Sequence, residues 1–534
     1  MGPESVPAVA GPGRAFRLIR GIVVAFAVLY AASYLANASA RLFYPYELDY
    51  TEGALVAVEA RIDAGQPIYA APDVHFASMV YTPLDFFVAH ALNALDPGDY
   101  FGLRLASILS TVATALVLAW VLRRRRAPAW AVLVAVGIFF GAWVRCGVIQ
   151  DTAHVDALAL ALSFAAMALL FEARATLAVA VLAGVLGGLG FLTKQTMVVF
   201  LAIPAAWLAS QRQWGRALAF VVAGTGTAVG LLAAWGLLFD PWFFFWVFKL
   251  ESSLTIRLDR LLVYAPAYLA AFLPAGLVIG LFGSSDGASR WREVPRRWFA
   301  DPWAVSLLGF TGMALLAKAK DGGGENVFLP VFALGALQVG RYAAPLLASR
   351  PRLTAVLLLV QMLVLYYPPS RGWPTRADVE AGDRLVEQIR KIPGEVYVPA
   401  FPEYAVRAGK SWWTHYTVVC GLAQHDPTLQ KALEEEIRAQ RFGAVVPRLD
   451  IEAQDVGICD LSNLDRYYQP VEPVLMPPRP SAVDFLLGTP SLAGMVHGGR
   501  FSQIYVPRAA PPPPLTAPFS WTVPARLCRI PRSG

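Results

Sequence analysis

Residues 101–126 read FGLRLASILSTVATALVLAWVLRRRR. A helix is predicted over 101–122, about the roughly 20 apolar residues that a bilayer crossing takes. The arginine block Arg123–Arg126 that closes it marks the cytoplasmic end, because basic residues are retained on that side. The same pattern repeats along the chain. Apolar runs recur from Gly21 to Tyr367 and then stop. Hydropathy and flanking charge predict about eleven membrane helices, near 17–38, 101–122, 128–148, 154–172, 176–193, 196–210, 217–239, 264–283, 303–318, 326–339 and 353–367.

Composition points the same way. Of 534 residues, 56% are hydrophobic and 16% charged, where soluble domains sit near about 45–50% and about 25%. A soluble fold would leave several all-round hydrophobic helices uncovered. The net charge of +7 sits in short basic clusters between apolar runs. No aromatic-basic stripe or nucleic-acid motif accompanies it, which argues against a nucleic-acid partner.

Arginine sets the expected orientation. With the N-terminus in the cytoplasm, the inside segments carry Arg14/Arg17/Arg20, Arg123–Arg126, Arg174, Arg212/Arg216, Arg290/Arg292/Arg296/Arg297 and Arg341/Arg350/Arg352. All seven lysines then fall outside. An odd helix count puts the tail outside as well. The expectation is an all-α polytopic protein of the cytoplasmic (inner) membrane: a cytoplasmic segment 1–16, a membrane module 17–367, and an extracytoplasmic C-terminal domain 368–534. Ile22–Ala36 with small residues at Ala38–Ala40 has the look of a cleaved signal, but the many later spans favour an uncleaved first helix. Of the four cysteines, Cys420, Cys459 and Cys528 lie in the tail, where one disulfide is compatible with export.

Two expected outer loops are long. The first, 39–100, holds an amphipathic helix from Glu52 to Ala64, with Leu55, Val58 and Ile62 on one face and Glu52, Glu59 and Asp63 on another. A short helix at Leu84–Leu95 follows. The second, 240–263, opens on Asp-Pro-Trp-Phe-Phe-Phe-Trp, an interfacial aromatic belt, and continues with Lys249, Arg257 and Arg260 as a surface-lying basic stretch. Beyond about 370, predicted helices at Glu380–Lys391 and Gln430–Arg441 alternate with strands at Glu395–Ala400 and Gly443–Val446, the pattern of a small α/β module. Pro511–Pro514 reads as an extended segment.

Ionisable groups in a membrane protein need a reason, and here they gather at the expected outer ends of helices. The stretch Tyr46-Glu47-Leu48-Asp49-Tyr50-Thr51-Glu52-Gly53 carries three carboxylates. Extended backbone points Glu47 and Asp49 to one side, where a carboxylate can act as a general base on a hydroxyl. The competing reading is a capping box, with Asp49 three residues before Glu52. Tyr81-Thr82-Pro83-Leu84 has proline in the first turn of a helix, ordinary helix-start chemistry. Arg145, His154, Lys194, Lys249, Arg257, Arg260, Lys318 and Lys320 are cations suited to holding a lipid-linked phosphate and its departing charge. The competing reading for them is snorkelling to the interface. Lys194 interrupts an otherwise apolar region and is the least like a snorkeller. The glycines of Lys320-Asp321-Gly322-Gly323-Gly324-Glu325-Asn326 suit a tight turn or close approach to a ligand.

These residues resemble the GT-C superfamily of polytopic glycosyltransferases, near the protein mannosyltransferases, lipid A aminoarabinose transferases and rhizobial galacturonosyltransferase-like proteins. The shared order is Asp49-Tyr-Thr-Glu52, Gly65-Gln66-Pro67-Ile68-Tyr69, then Tyr81-Thr82-Pro83-Leu84. The segment from Arg145 to Asp156 and Leu158 is similar to the Arg/Asp segment opening the fourth helix, and Thr193-Lys194-Gln195 to the stretch after the fifth. The likeness covers about 17–340. Where many members have adjacent Asp-Glu, Thr51 here precedes Glu52 and the aspartate is displaced to Asp49.

The resemblance implies a polyprenyl-phosphate-linked sugar donor and a lipid, glycan or protein acceptor at the outer side, with inversion at the anomeric carbon. It implies Asp49, Glu47 or Glu52 as the base. Lys194, Arg145, His154, Lys318, Lys320 and Arg257 would meet the donor phosphate, and Tyr81, Pro83, Asp156 and Asn326 would line the substrate site. Some relatives use a divalent metal near the acidic motif, which the carboxylates permit without demanding. Two other classes fit the same sequence less well. A lipid or glycan flippase would place charges near mid-bilayer and show repeated halves; here the charges lie at helix ends and no repeat is visible. An inactive envelope-assembly protein would not need so many spans.

Overall fold

The computed structural model describes residues 14–49, 51–96, 98–259, 261, 299–320, 322–368, 372–423, 425–447, 461, 464–473 and 503–509. The helix expected over 264–283, the arginines of 290–297, Arg260, Asp321, Cys459, Cys528 and Pro511–Pro514 lie outside the described residues. The amino-terminal part is helical: α1 (Arg14–Leu42), α2 (Glu52–Asp63), α3 (Leu84–Asn93), α4 (Phe101–Arg124), α5 (Ala129–Gly141), α6 (Asp156–Glu172), α7 (Leu177–Thr193), α8 (Val198–Ser210) and α9 (Trp214–Ala234). Further helices span Pro302–Ala319, Leu329–Ser349 and Pro351–Val364. Arg17–Leu42, Phe101–Arg124, Trp214–Ala234, Pro302–Ala319 and Glu325–Ser349 are long and apolar enough to cross a membrane. Shorter apolar helices lie between and after them. The protein is polytopic.

Each expected span outside 264–283 coincides with a described helix, but several boundaries move. The helix expected over 128–148 ends at Gly141 and gives way to a 3-10 turn at Val144–Cys146. Gly147 and Val148 then adopt left-handed φ of 75° and 57°, a conformation that a β-branched residue enters only under constraint. The reversal delivers residues 151–156 to the site described below. The helix expected over 326–339 instead runs to Ser349 and carries Arg341 within it. The charge is accommodated because Arg341 bonds Asp301 at 2.6 Å and Gln338 at 2.9 Å.

Close helix packing is set by small residues. A Cβ on Gly184 of α7 would come within 2.3 Å of the Phe220 carbonyl of α9, and one on Gly188 within 2.4 Å of the Gly224 carbonyl. This Gly-x-x-x-Gly spacing lets two backbones touch, the main source of helix association where lipid tails are as apolar as side chains.

The first long loop, between α1 and α4, departs from the expected amphipathic picture. Glu52 and Glu59 of α2 were expected on a polar face, yet both are buried. The segment after α9 is also more deeply engaged than an aromatic belt. Pro241–Phe244 is helical and runs through a π turn, Phe245–Leu250, into Glu251–Ser253. Phe243 and Trp246 are fully buried, and the Trp246 indole donates to the Ala70 carbonyl at 2.8 Å.

The C-terminal module is α/β. Helices at Arg376–Lys391, Pro402–Arg407, Tyr416–Ala423 and Thr428–Arg438 accompany β1 (Glu395–Tyr397), β2 (Phe442–Val445), β3 (Tyr468–Pro473) and β4 (Gln503–Pro507). The sheet order is β1-β2-β4-β3, parallel between β1 and β2 and antiparallel elsewhere. A capping box between Thr375 and Asp378 starts the first of these helices. The module shares one continuous apolar core with the first long loop, in which Leu48, Leu55, Tyr69 and Phe86 pack with Leu385, Val396, Tyr397 and Tyr404.

Candidate active site

Arg104 organises the acidic stretch. It stands in the first turn of α4, wholly buried. Its guanidinium bonds Glu52 in a fork, Nε to Oε1 at 3.0 Å and Nη2 to Oε2 at 2.7 Å. The remaining donors reach the carbonyls of Arg41, Tyr44 and Tyr46 at 3.1, 2.5 and 2.6 Å. Glu52 also accepts the backbone N–H groups of Leu48 and Ala153, each at 2.7 Å. A planar donor matched to a carboxylate and three carbonyls fixes the loop's path around one side chain. No such role for Glu52 and Arg104 was visible in the sequence. A second buried pair, Arg41 with Asp151 at 3.0 Å, holds the end of α1 to the 151–156 segment, and the Trp143 indole donates to the same carboxylate at 2.8 Å.

On this scaffold four charged side chains form a chain: Asp49 before α2, His154 and Asp156 at the start of α6, and Lys194 at the end of α7. Asp49 lies 3.2 Å from His154 Nε2, and His154 Nδ1 lies 3.2 Å from Asp156 Oδ2. The Asp156 Oδ1 accepts from Lys194 Nζ at 2.7 Å. Asn326 donates to both Asp156 oxygens at 3.2 and 3.1 Å. Thr51 donates to Asp49 through its hydroxyl and its backbone N–H, and the same hydroxyl stands 2.9 Å from His154 Nε2. The capping-box reading fails here: Thr51 occupies the N-cap of α2 and makes no side-chain cap bond. Burial opposes ionisation of Asp49, but the hydrogen bond and charge of His154, with the Thr51 donors, outweigh it and lower the carboxyl. Burial likewise opposes the imidazolium, and the two carboxylates outweigh it, raising His154 to about 9. The ring of Tyr81 faces Lys194, with Nζ 5.5 Å from the centroid. Pro83 caps α3, and Thr82 ties that start to α7 through the Phe191 carbonyl at 2.9 Å.

No family model matches the chain. A curated relative, the undecaprenyl phosphate-alpha-4-amino-4-deoxy-L-arabinose arabinosyl transferase of Edwardsiella ictaluri (strain 93-146), is 27% identical over 311 residues, 54% of this chain and 55% of that one. The chain thus spans about half the length of that relative. Crystal structures of ArnT from Cupriavidus metallidurans are similar in fold. The form bound to undecaprenyl phosphate superposes with a TM-score of 0.54 at 12% identity, over 91% of this chain and 99% of that one. The apo form gives 0.53 at 14% identity, over 83% and 95%. The fold is shared with these two ArnT structures, in line with the architecture that the GT-C resemblance implies.

The other expected site residues are distributed around the chain of charges. Lys318 bonds the Gly323 carbonyl at 2.9 Å and Glu325 at 3.1 Å, closing the turn that presents Asn326. Lys320 pairs with Glu251 at 2.7 Å. Arg257 pairs with Asp259 at 2.9 Å, and its backbone N–H joins the Ala319 carbonyl. Arg145 donates to the Val364 carbonyl at 2.7 Å. Each of these cations already has a protein partner, so a phosphate would have to displace or share it.

Two buried carboxylates stand apart. Glu47 is 1% exposed and neither oxygen has a hydrogen-bond partner. Burial, then Glu403, Glu52 and Asp49, raise it well above the usual carboxylate range, with Arg104 opposing. Asp85, in the first turn of α3, is likewise buried with both oxygens unpartnered. Burial raises it to about 8, while His154 lowers it and Asp156 raises it. Sequence reasoning missed Asp85, although a carboxylate directly after Tyr81-Thr82-Pro83-Leu84 was a visible signal. Among the described residues no group of three His, Cys, Asp or Glu is arranged to hold a metal ion. The oxygens of Asp49 and Asp156 already face His154, Lys194 and Asn326, a donor set that does not suit a resident cation.

Proposed function

We propose that this chain is a glycosyltransferase that moves a sugar from a polyprenyl-phosphate donor to a hydroxyl acceptor at the outer face of the cytoplasmic membrane. The observation that carries the reading is the buried chain Asp49–His154–Asp156–Lys194, in a fold shared with a protein crystallised with undecaprenyl phosphate. The likeness to the arabinosyl transferase favours a sugar of that general class on the lipid.

In this reading Asp49 is the base. It is ionised at neutral pH and accepts the proton of the acceptor hydroxyl. The acceptor oxygen bonds to the anomeric carbon as the carbon–oxygen bond to phosphate breaks, and that electron pair leaves with the lipid phosphate. Attack from the face opposite the phosphate inverts the centre. Lys194 is placed to receive the departing charge by exchanging part of its pairing with Asp156, while His154 and Asn326 keep Asp156 fixed. Glu52 is committed to Arg104 and serves as scaffold. Arginine-rich ends lie in the cytoplasm, and the C-terminal module lies outside, where the disulfide bond at Cys420 would persist.

The test is transfer from an undecaprenyl-phosphate-linked sugar by purified protein, read by mass spectrometry of the lipid and of envelope glycans. Asp49→Asn is expected to lower turnover by about 10²-fold or more while membrane insertion and melting stay normal. Full activity in that variant would move the base elsewhere. Flux of intact lipid in proteoliposomes without transfer would make the protein a flippase.

A further inference from the structure

Three hydrogen bonds fix the stretch that carries Tyr81. The Val80 carbonyl accepts from Gln195 Nε2 at 2.8 Å. The Tyr81 carbonyl accepts from the Tyr69 hydroxyl at 2.6 Å. The Thr82 hydroxyl donates to the Phe191 carbonyl at 2.9 Å. The first and the last of these reach the end of α7 and the 3-10 turn that follows it, Gln195–Met197. They flank Lys194, the single extended residue between the two, with φ −151° and ψ 123°. With 80–82 held in this way, the Tyr81 ring faces the Lys194 ammonium, 5.5 Å from Nζ to the centroid. Asp156 Oδ1 meets the same ammonium at 2.7 Å.

Gln195 makes a second contact. Its Nε2 also donates to the Val247 carbonyl at 3.2 Å, inside the π turn Phe245–Leu250, a geometry that is frequent at functional sites. One residue earlier the Trp246 indole donates to the Ala70 carbonyl at 2.8 Å, next to Tyr69. Two carbonyls converging on one amide nitrogen set the orientation of the side chain, because the flipped amide would place oxygen against oxygen. In that orientation Gln195 Oε1 is buried without a hydrogen-bond partner. A buried acceptor left unpaired is destabilising, and a methionine would fill the same space without it. The amide is therefore explained by what its nitrogen holds rather than by packing.

We propose that Gln195 is a positioning residue for the donor phosphate: by tying Val80 and the π turn to the end of α7, it keeps the Tyr81 ring against the Lys194 ammonium. The inference rests on the proposed function, in which Lys194 receives the departing charge. Gln195 acts through Tyr81. The ring face attracts the ammonium, and an ammonium ordered in advance does not have to be ordered when the phosphate arrives.

The experiment is native mass spectrometry of the full chain, titrated with undecaprenyl phosphate and, separately, with undecaprenol. The ratio of the two affinities reads the phosphate alone. The parent is expected to prefer the phosphate by about tenfold or more. Gln195→Met is expected to lower that ratio about fivefold, with undecaprenol binding and melting temperature unchanged. Gln195→Asn, whose shorter amide does not span both carbonyls, is expected to do the same. A purely structural role would move both lipids together. In a Tyr81→Leu background Gln195→Met is expected to change nothing further, as for residues that act through one contact. A parental ratio in both Gln195 variants would overturn the inference alone, and so would additive losses in the double variant. A parent that takes both lipids alike would overturn the inference together with the role of Lys194 in the proposed function.

Discussion

His154 stands between two carboxylates, and that position makes it the residue whose charge is most exposed to experiment. Asp156 and Asp49 raise it to about 9 against burial. Because its folded value lies above the unfolded one, the stability it contributes is fully present below about pH 6.5 and is lost as pH rises through about 9. Transfer is expected to decline on the same alkaline limb, since an uncharged imidazole no longer holds Asp49 and Asp156 in place. His154→Gln should flatten that limb while lowering turnover at neutral pH. A parent profile that stays level to about pH 10 would remove the imidazolium from the mechanism. Asp49, His154, Asp156, Lys194 and Asn326 were legible in the sequence as polar groups at helix ends. Their pairing was not, because it joins residues up to 170 positions apart. Arg104 was hidden by its setting: one arginine in an otherwise apolar span reads as a tolerated charge, whereas its buried fork with Glu52 is a tertiary fact.

At the scale of elements, the order of helices was readable because hydropathy is a local property, and their ends were less so. α5 stops early to make the left-handed turn at Gly147 and Val148. Leu329–Ser349 continues past the expected stop because Arg341 finds Asp301 inside the fold. The contact of α7 with α9 depends on Gly184 and Gly188. Lys194 follows directly at the end of α7, so the helix pair sets the position of the cation. Gly188→Leu is expected to push the helices apart, costing about 1–3 kcal/mol as overpacking does, and to lower transfer through displacement of Lys194. Gly226→Ala on α9 adds its Cβ where nothing lies within 4 Å and serves as the control. Equal melting temperatures for both variants in detergent would show that the small-residue seam is dispensable.

The whole molecule depends on a junction that hydropathy does not reveal. Loss of apolar runs after Tyr367 announced a separate α/β module, and the alternating pattern beyond it placed β1, β2 and two of the helices near their observed positions. Nothing local in that pattern says that Leu385, Val396 and Tyr404 share a core with Leu48, Leu55 and Phe86. A backbone bond and a ring contact reinforce the junction, with the Thr414 N–H on the Val74 carbonyl at 2.9 Å and the His75 and Trp413 ring centroids 4.5 Å apart. A module that merely hangs from the last helix would be removable. One that completes the core of the first loop is not, because its loss exposes buried apolar surface and frees the backbone that carries Asp49. Truncation after Tyr367 is therefore expected to leave helices that still insert, while the 44–100 loop becomes sensitive to protease and transfer falls to background. Supplying residues 368–534 as a separate exported chain should restore part of both. A truncated protein with an intact loop and full transfer would show that the shared core is incidental to the site.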